Sequence, residues 1–159
     1  MAARKRLSDE VMPRKKREVE KPSIIIDSRE QRPLVFSDIF LTEAAALPAG
    51  DYSLKGFTDK VAIERKRLGE LCGCCGGDRE RFMNQIERVA QYTHSHLVIE
   101  GDMSDIFIEN YRAMVHPNSV LGTLMNIQER GIGVWFCSTP EHTAHMVERI
   151  MLRVIKKES

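Results

Sequence analysis

Apolar and polar positions along this chain alternate between two periods, and each switch of period marks a change from strand to helix. Ser23-Ile24-Ile25-Ile26-Asp27 holds three consecutive isoleucines, a run expected of a strand buried on both faces. It ends abruptly in Asp27-Ser28-Arg29-Glu30, then Gln31-Arg32-Pro33. An irregular stretch is expected through Phe40, and a further strand across Leu41 to Leu47. Tyr52-Ser53-Leu54 follows a Pro48-Ala49-Gly50 turn and predicts a short strand. Val61-Ala62-Ile63 opens another strand and runs on into Glu64-Arg65-Lys66. An apolar strand that ends in charge delivers polar side chains to the edge of a sheet.

Helical spacing takes over downstream. A short helix is expected from Arg67 to Cys72, ended by Gly73, Gly76 and Gly77. A longer one spans Arg79 to Thr93, with Phe82, Ile86, Val89 and Ala90 as its apolar stripe. Leu97 to Ile99 is a buried strand. A helix from Asn118 to Arg130 is closed by Gly131, and Ile132 to Phe136 is the next strand. Thr139-Pro140 supplies an N-cap and a first-turn proline for the last helix. That helix carries Val147, Ile150, Met151 and Val154 on one stripe, and Met146, Leu152 and Ile155 widen it. The width suits either a broad core-facing surface or burial against a second subunit. Strands interleaved with helices predict an α/β domain, a mixed β-sheet flanked by helices. The close spacing of the early strands predicts that part of the sheet is antiparallel.

Composition narrows the class. A chain of 159 residues is one domain by length and buries about 70% of its unfolded-chain surface. Hydrophobic content of 42% and charged content of 30% are those of a soluble globular protein. No stretch approaches the ~20 apolar residues of a membrane span. The basic N-terminus lacks the apolar region of a secretory signal. A cytoplasm-like compartment is expected: nucleoid-associated for a bacterial or viral source, nuclear for a eukaryotic one. Cys72-x-Cys74-Cys75 lacks the paired spacing of a structural zinc site, and reduced thiols fit that compartment.

The net charge of +1 hides an asymmetry: residues 1–21 hold eight Lys/Arg against four Asp/Glu. Residues 1–22 read as a basic, solvated, disordered arm. It could add salt-sensitive affinity for nucleic acid, serve as a nuclear-localisation signal, or be a plain tail.

Candidate chemistry lies in the early strands. In a strand, side chains alternate faces, so Glu64 and Lys66 point one way and Arg65 the other. A hairpin would bring Asp51 beside Glu64. Two carboxylates and a lysine suit metal-assisted phosphodiester hydrolysis. Magnesium is held by one or two carboxylates plus waters and substrate phosphate, and a lysine can orient water or neutralise charge on the phosphate. On spacing alone, an exposed hairpin with surface charges accounts for the same residues. Asp27 to Glu30 adds a second concentration of charge at the end of a buried strand, where sites in α/β sheets form.

Asp27-Ser28-Arg29-Glu30, Gly50-Asp51 and Glu64-Arg65-Lys66 together resemble the nuclease domain of the XPF/Hef-type structure-specific endonucleases. Arg81-Phe82-Met83-Asn84-Gln85, His96 to Gly101, Pro117 to Gly122 and Gly131 to Val134 are similar to its later segments. Gln31-Arg32-Pro33-Leu34 is similar to short stand-alone bacterial and phage members. The resemblance implies a restriction-endonuclease-like nuclease domain over residues 23–157, acting on branched or flapped DNA in repair or recombination. It implies Mg²⁺, with Mn²⁺ as substitute, held by Asp51, Glu64 and Asp27. Lys66 completes the catalytic set, and Arg29, Glu30 and Arg65 support it. Arg29, Arg65, Arg81 and Gln85 would hold DNA phosphates or other site residues. Relatives dimerise, so a homodimer or heterodimer is expected. Some have lost catalysis, which leaves a non-catalytic DNA-structure-binding or scaffolding subunit as the alternative. Some features depart from the family pattern, among them Glu80 where the family often has Gly before the arginine matching Arg81. Glu70 stands where the hallmark has Asp, and the tandem helix-hairpin-helix and helicase domains of many relatives have no counterpart in these residues.

Overall fold

The strands are β1 (Ser23–Asp27), β2 (Leu41–Ala45), β3 (Tyr52–Leu54), β4 (Val61–Arg67), β5 (His94–Glu100) and β6 (Gly133–Phe136), in a computed structural model that describes residues 19–159. The basic arm falls almost wholly outside the described residues. The six strands form one mixed sheet in the order β2-β1-β3-β4-β5-β6. The pairs β1–β3 and β3–β4 are antiparallel, and β1–β2 is parallel. The pairs β4–β5 and β5–β6 are parallel and need helical crossovers. These are α1 (Leu68–Cys74) with α2 (Arg79–Ala90), then α3 (Met103–Phe107) with α4 (Pro117–Glu129).

Alternation along the strands builds two cores. Ala62, Leu97 and Ile99 face α1 to α4, packing with Leu71, Phe82, Ile86 and Ile127. Val61, Ile63 and Val98 face the other way, toward α5 (Pro140–Glu158) and its stripe of Val147, Ile150, Met151 and Val154. Each such side chain contributes about 1.5–3 kcal/mol by leaving water, so packing rather than helix propensity holds α5 in place. Met146, Leu152 and Ile155 are partly buried against the same core, which accounts for the width of the apolar surface.

Several element bounds differ from the pattern, each for a tertiary reason. β5 extends to His94–Glu100 because β4 pairs with it along that whole length, from Val61↔His94 to Arg67↔Glu100. The preceding helix therefore stops at Ala90 rather than Thr93. β2 stops at Ala45 rather than Leu47, and the Leu47 N–H instead donates to Asp27 Oδ1 at 2.9 Å. α3, at five residues, is too short for its period to show in the sequence. The predicted caps are present: Thr139 Oγ1 accepts from the His142 N–H, and Gly131 has φ +84°.

Candidate active site

β1 ends at Asp27, which is 4% exposed. Its backbone N–H donates to Asp51 O at 2.8 Å, so the ends of β1 and β3 meet. Asp27 Oδ2 accepts from Arg29 Nε at 2.9 Å and from the Arg29 backbone N–H at 3.3 Å. Oδ1 accepts from Arg29 Nη2 at 3.3 Å and from the Leu47 N–H at 2.9 Å. Burial pushes the Asp27 carboxyl upward in pKa, but the bonds from Arg29 and Leu47 outweigh it and hold the group below the usual value.

Gly50 brings Asp51 against β4. It has φ +73°, and a Cβ there would lie 2.9 Å from Ile63 O. Only glycine satisfies both the left-handed backbone and the close approach. The Asp51 N–H donates to Ile63 O at 2.8 Å, and Asp51 Oδ2 accepts from the Arg65 N–H at 2.9 Å. The strand opposite Asp51 thus bonds it in place and presents Glu64 and Lys66 beside it.

Asp51, Glu64 and Lys66 share one cleft of about 420 Å³ with Arg29, Glu30, Gln31, Arg32, Arg65, Arg67 and Glu70 along its walls. Glu64 is 7% exposed, and Lys66 Nζ stands 3.7 Å from its Oε1, an ion pair beyond hydrogen-bond reach. Lys66 Nζ also lies 5.7 Å from the centre of the Phe82 ring, which holds the ammonium at the cleft wall. Burial raises the Asp51 carboxyl to about 6, and burial followed by the charge of Asp51 raises Glu64 to about 7. Two carboxylates pushed up by burial and proximity favour a positive group between them.

Arg65 leaves β4 on the face opposite Glu64 and Lys66, as strand alternation requires, and borders the cleft only at the end of the strand. Its Nε donates to Glu100 Oε1 at 2.6 Å and its Nη1 to Arg32 O at 2.5 Å. Glu30 Oε2 lies 3.7 Å from Nη1. The Arg65 and Glu100 side chains are 8% and 6% exposed, so the guanidinium is committed to the protein. It ties the β1–β2 connection and the end of β5 to β4, while its backbone fixes Asp51.

Arg81 and Gln85 lie on α2, outside the Asp51–Glu64 cleft. They line an adjoining cavity of about 360 Å³ together with Lys66, Glu70, Cys74 and Phe82. Lys66 and Glu70 belong to both spaces, so α2 continues the cleft. Arg81 and Gln85 also line a third cavity with Arg29, Asn84 and Arg88. Sequence reasoning left Glu70 without a role and did not single out Arg32, Arg67 or Arg88. Strand alternation puts Arg67 on the face of Arg65 and gives no sign that it lines the cleft, whereas helical spacing from Arg81 and Gln85 would have found Arg88. The four cysteines are free thiols.

Among the described residues, no group of three or more His, Cys, Asp or Glu side chains is disposed to hold a metal ion. The pair Asp51 and Glu64 still fits a hard divalent cation. Both face the cleft, and burial followed by neighbouring carboxylates disfavours their ionisation, which a cation between them would offset. Magnesium needs only one or two carboxylates when water and phosphate complete its shell.

No helix among the described residues is long and apolar enough to cross a membrane. No curated protein sequence matches the chain significantly. Among solved structures, XPF from Aeropyrum pernix is similar at 24% identity and a TM-score of 0.66, covering 81% of this chain and 59% of that one. XPF from Aeropyrum pernix in complex with DNA is similar at 23% identity and a TM-score of 0.66, covering 86% and 66%. The chain thus spans less than two thirds of either, and it shares their restriction-endonuclease-like fold. The ERCC4 domain model matches residues 26–150. With that match over most of its length, the chain belongs to the ERCC4 domain family.

Proposed function

We propose that this protein is a metal-dependent endodeoxyribonuclease that hydrolyses phosphodiester bonds at branched or flapped DNA. The observation that carries the reading is the meeting of Asp51, Glu64 and Lys66 in one cleft, with both carboxyls raised and arginines along the rim. Membership of the ERCC4 family supports it, as does a similar structure described as a complex with DNA.

Asp51 and Glu64 would hold Mg²⁺, or Mn²⁺ in its place, with Asp27 as a further acidic group beside them. The bound ion would supply Lewis-acid polarisation of the phosphoryl oxygen and a water of lowered pKa. Lys66, fixed between Glu64 and the Phe82 ring, neutralises charge that builds on the phosphate. Arg29, Arg81 and Gln85 hold neighbouring phosphates, a task that suits the guanidinium fork. Arg65 acts from behind the sheet: its N–H orients Asp51, and its side chain anchors the connection that carries Glu30 and Arg32.

End-labelled fork and flap substrates test the proposal. Cutting is expected in Mg²⁺ or Mn²⁺ and should stop with EDTA. Lys66→Ala should lower the rate by about 10²–10³-fold, with DNA binding still measurable. Unchanged cutting by both Asp51→Ala and Lys66→Ala would sink the site assignment. Tight binding without cutting in any divalent metal would point instead to a DNA-structure-binding scaffold.

A further inference from the structure

Of the three acids expected to hold the cation, Asp27 alone has both oxygens committed, and it alone is absent from the cleft wall. Arg29 occupies it. The two side chains differ sharply in exposure, 74% for Arg29 and 5% for Asp27. One end of the pair is therefore in water, where ion pairs are weak. The same guanidinium lines both the Asp51–Glu64 cleft and the cavity along α2 with Arg81, Gln85 and Arg88. It stands where a phosphate crossing from one cavity to the other would pass.

Resting on the nuclease reading above, we propose that Arg29 is a substrate-sensing positioning residue. In the free protein it holds Asp27 away from the cation. A DNA phosphate draws the guanidinium off, and Asp27 then joins Asp51 and Glu64. The hydrogen-bond pattern favours this exchange. Once the guanidinium leaves, Oδ1 keeps the Leu47 N–H at 2.9 Å, whereas Oδ2 keeps only a 3.3 Å bond from the Arg29 backbone. Oδ2 becomes the free ligand atom of a buried carboxylate, which is strongly unfavourable without a positive partner. The exchange replaces a carboxylate with a phosphate on Arg29, and a guanidinium with a divalent cation on Asp27. Each ligand therefore assists the other, and by linkage the two effects are equal.

The test measures Mn²⁺ binding by the loss of the free-ion EPR signal, with and without forked DNA. It is run in a Lys66→Ala background so that the DNA stays intact. DNA should tighten Mn²⁺ binding on the order of tenfold, and Mn²⁺ should tighten DNA binding by the same factor. Arg29→Gln should raise Mn²⁺ affinity without DNA and bring the coupling toward one. Arg29→Lys, which keeps the charge but not the fork, should fall between. Asp27→Asn should abolish the gain that DNA confers, and cations held by the DNA alone are measured without protein and subtracted. Equal Mn²⁺ affinity with and without DNA overturns the proposal, as does an Arg29→Gln variant with unaltered DNA-free affinity. Cutting that persists without coupling overturns only this inference. Coupling without cutting in the Lys66-containing protein overturns only the nuclease reading.

Discussion

Asp51 and Glu64 sit where their surroundings resist ionisation. Glu64 is raised to about 7 from 4.5, and Asp51 to about 6 from 3.8, each first by burial. Through these two groups the folded state binds more protons than the unfolded chain between roughly pH 4 and pH 7, and their joint contribution to stability falls as pH rises, opposed by the single partly buried His96, which burial lowers to about 4. The metal-free protein should resist urea better near pH 5 than near pH 8. Glu64→Gln should raise metal-free stability at pH 8 by about 1–2 kcal/mol, while weakening divalent-cation binding. A urea midpoint that rises between pH 5 and pH 8 in EDTA would contradict this electrostatic account. The residue types and their alternation in β4 were readable from the sequence. The depth of burial was not, because it depends on α1 and α2 closing over the strand.

At the scale of elements, the site depends on how three strand ends meet. Gly50 permits the contact through its φ of +73° and its close approach to Ile63. Gly50→Ala should destabilise the protein by about 1–3 kcal/mol and displace Asp51. The expected signature is a lowered melting temperature together with lost cation affinity. A variant with wild-type values of both would show that the turn does not set the site. The predicted strands and long helices follow from strong local periodicity, whereas α3 and the bounds of β2 and β5 depend on partners elsewhere. Arg65 shows the same division. Alternation places it behind the sheet, but its partner Glu100, thirty-five residues away, becomes its neighbour only through the parallel β4–β5 register. That partnership ties Arg65 to the frame of the site.

For the whole molecule, charge is divided between the arm and the domain. Residues 1–21 carry eight Lys/Arg against four Asp/Glu, while the site concentrates carboxylates behind a rim of arginines. Deleting residues 1–21 should leave folding intact and flatten the dependence of DNA affinity on salt, since fewer counterions are released. An unchanged slope in a filter-binding or anisotropy titration would remove that role from the arm. The cleft, the Arg81–Gln85 cavity and the Arg88 cavity share lining residues, so they adjoin along one face from β4 onto α2.

By itself the sequence determined the α/β class, the faces of β4, and the identities of Asp27, Asp51, Glu64 and Lys66 as candidates. The class and the faces follow from period and strand alternation, local properties of the chain, while the four candidates stand out through side-chain chemistry together with the family resemblance of the ordered motifs. Only the tertiary structure decided that Asp51 and Glu64 open into one cleft while Arg29 occupies Asp27, that Arg65 braces from behind, and that α2 extends the groove. Each depends on pairing between segments distant in sequence and on which side chains that pairing removes from water, and neither is encoded at any single position.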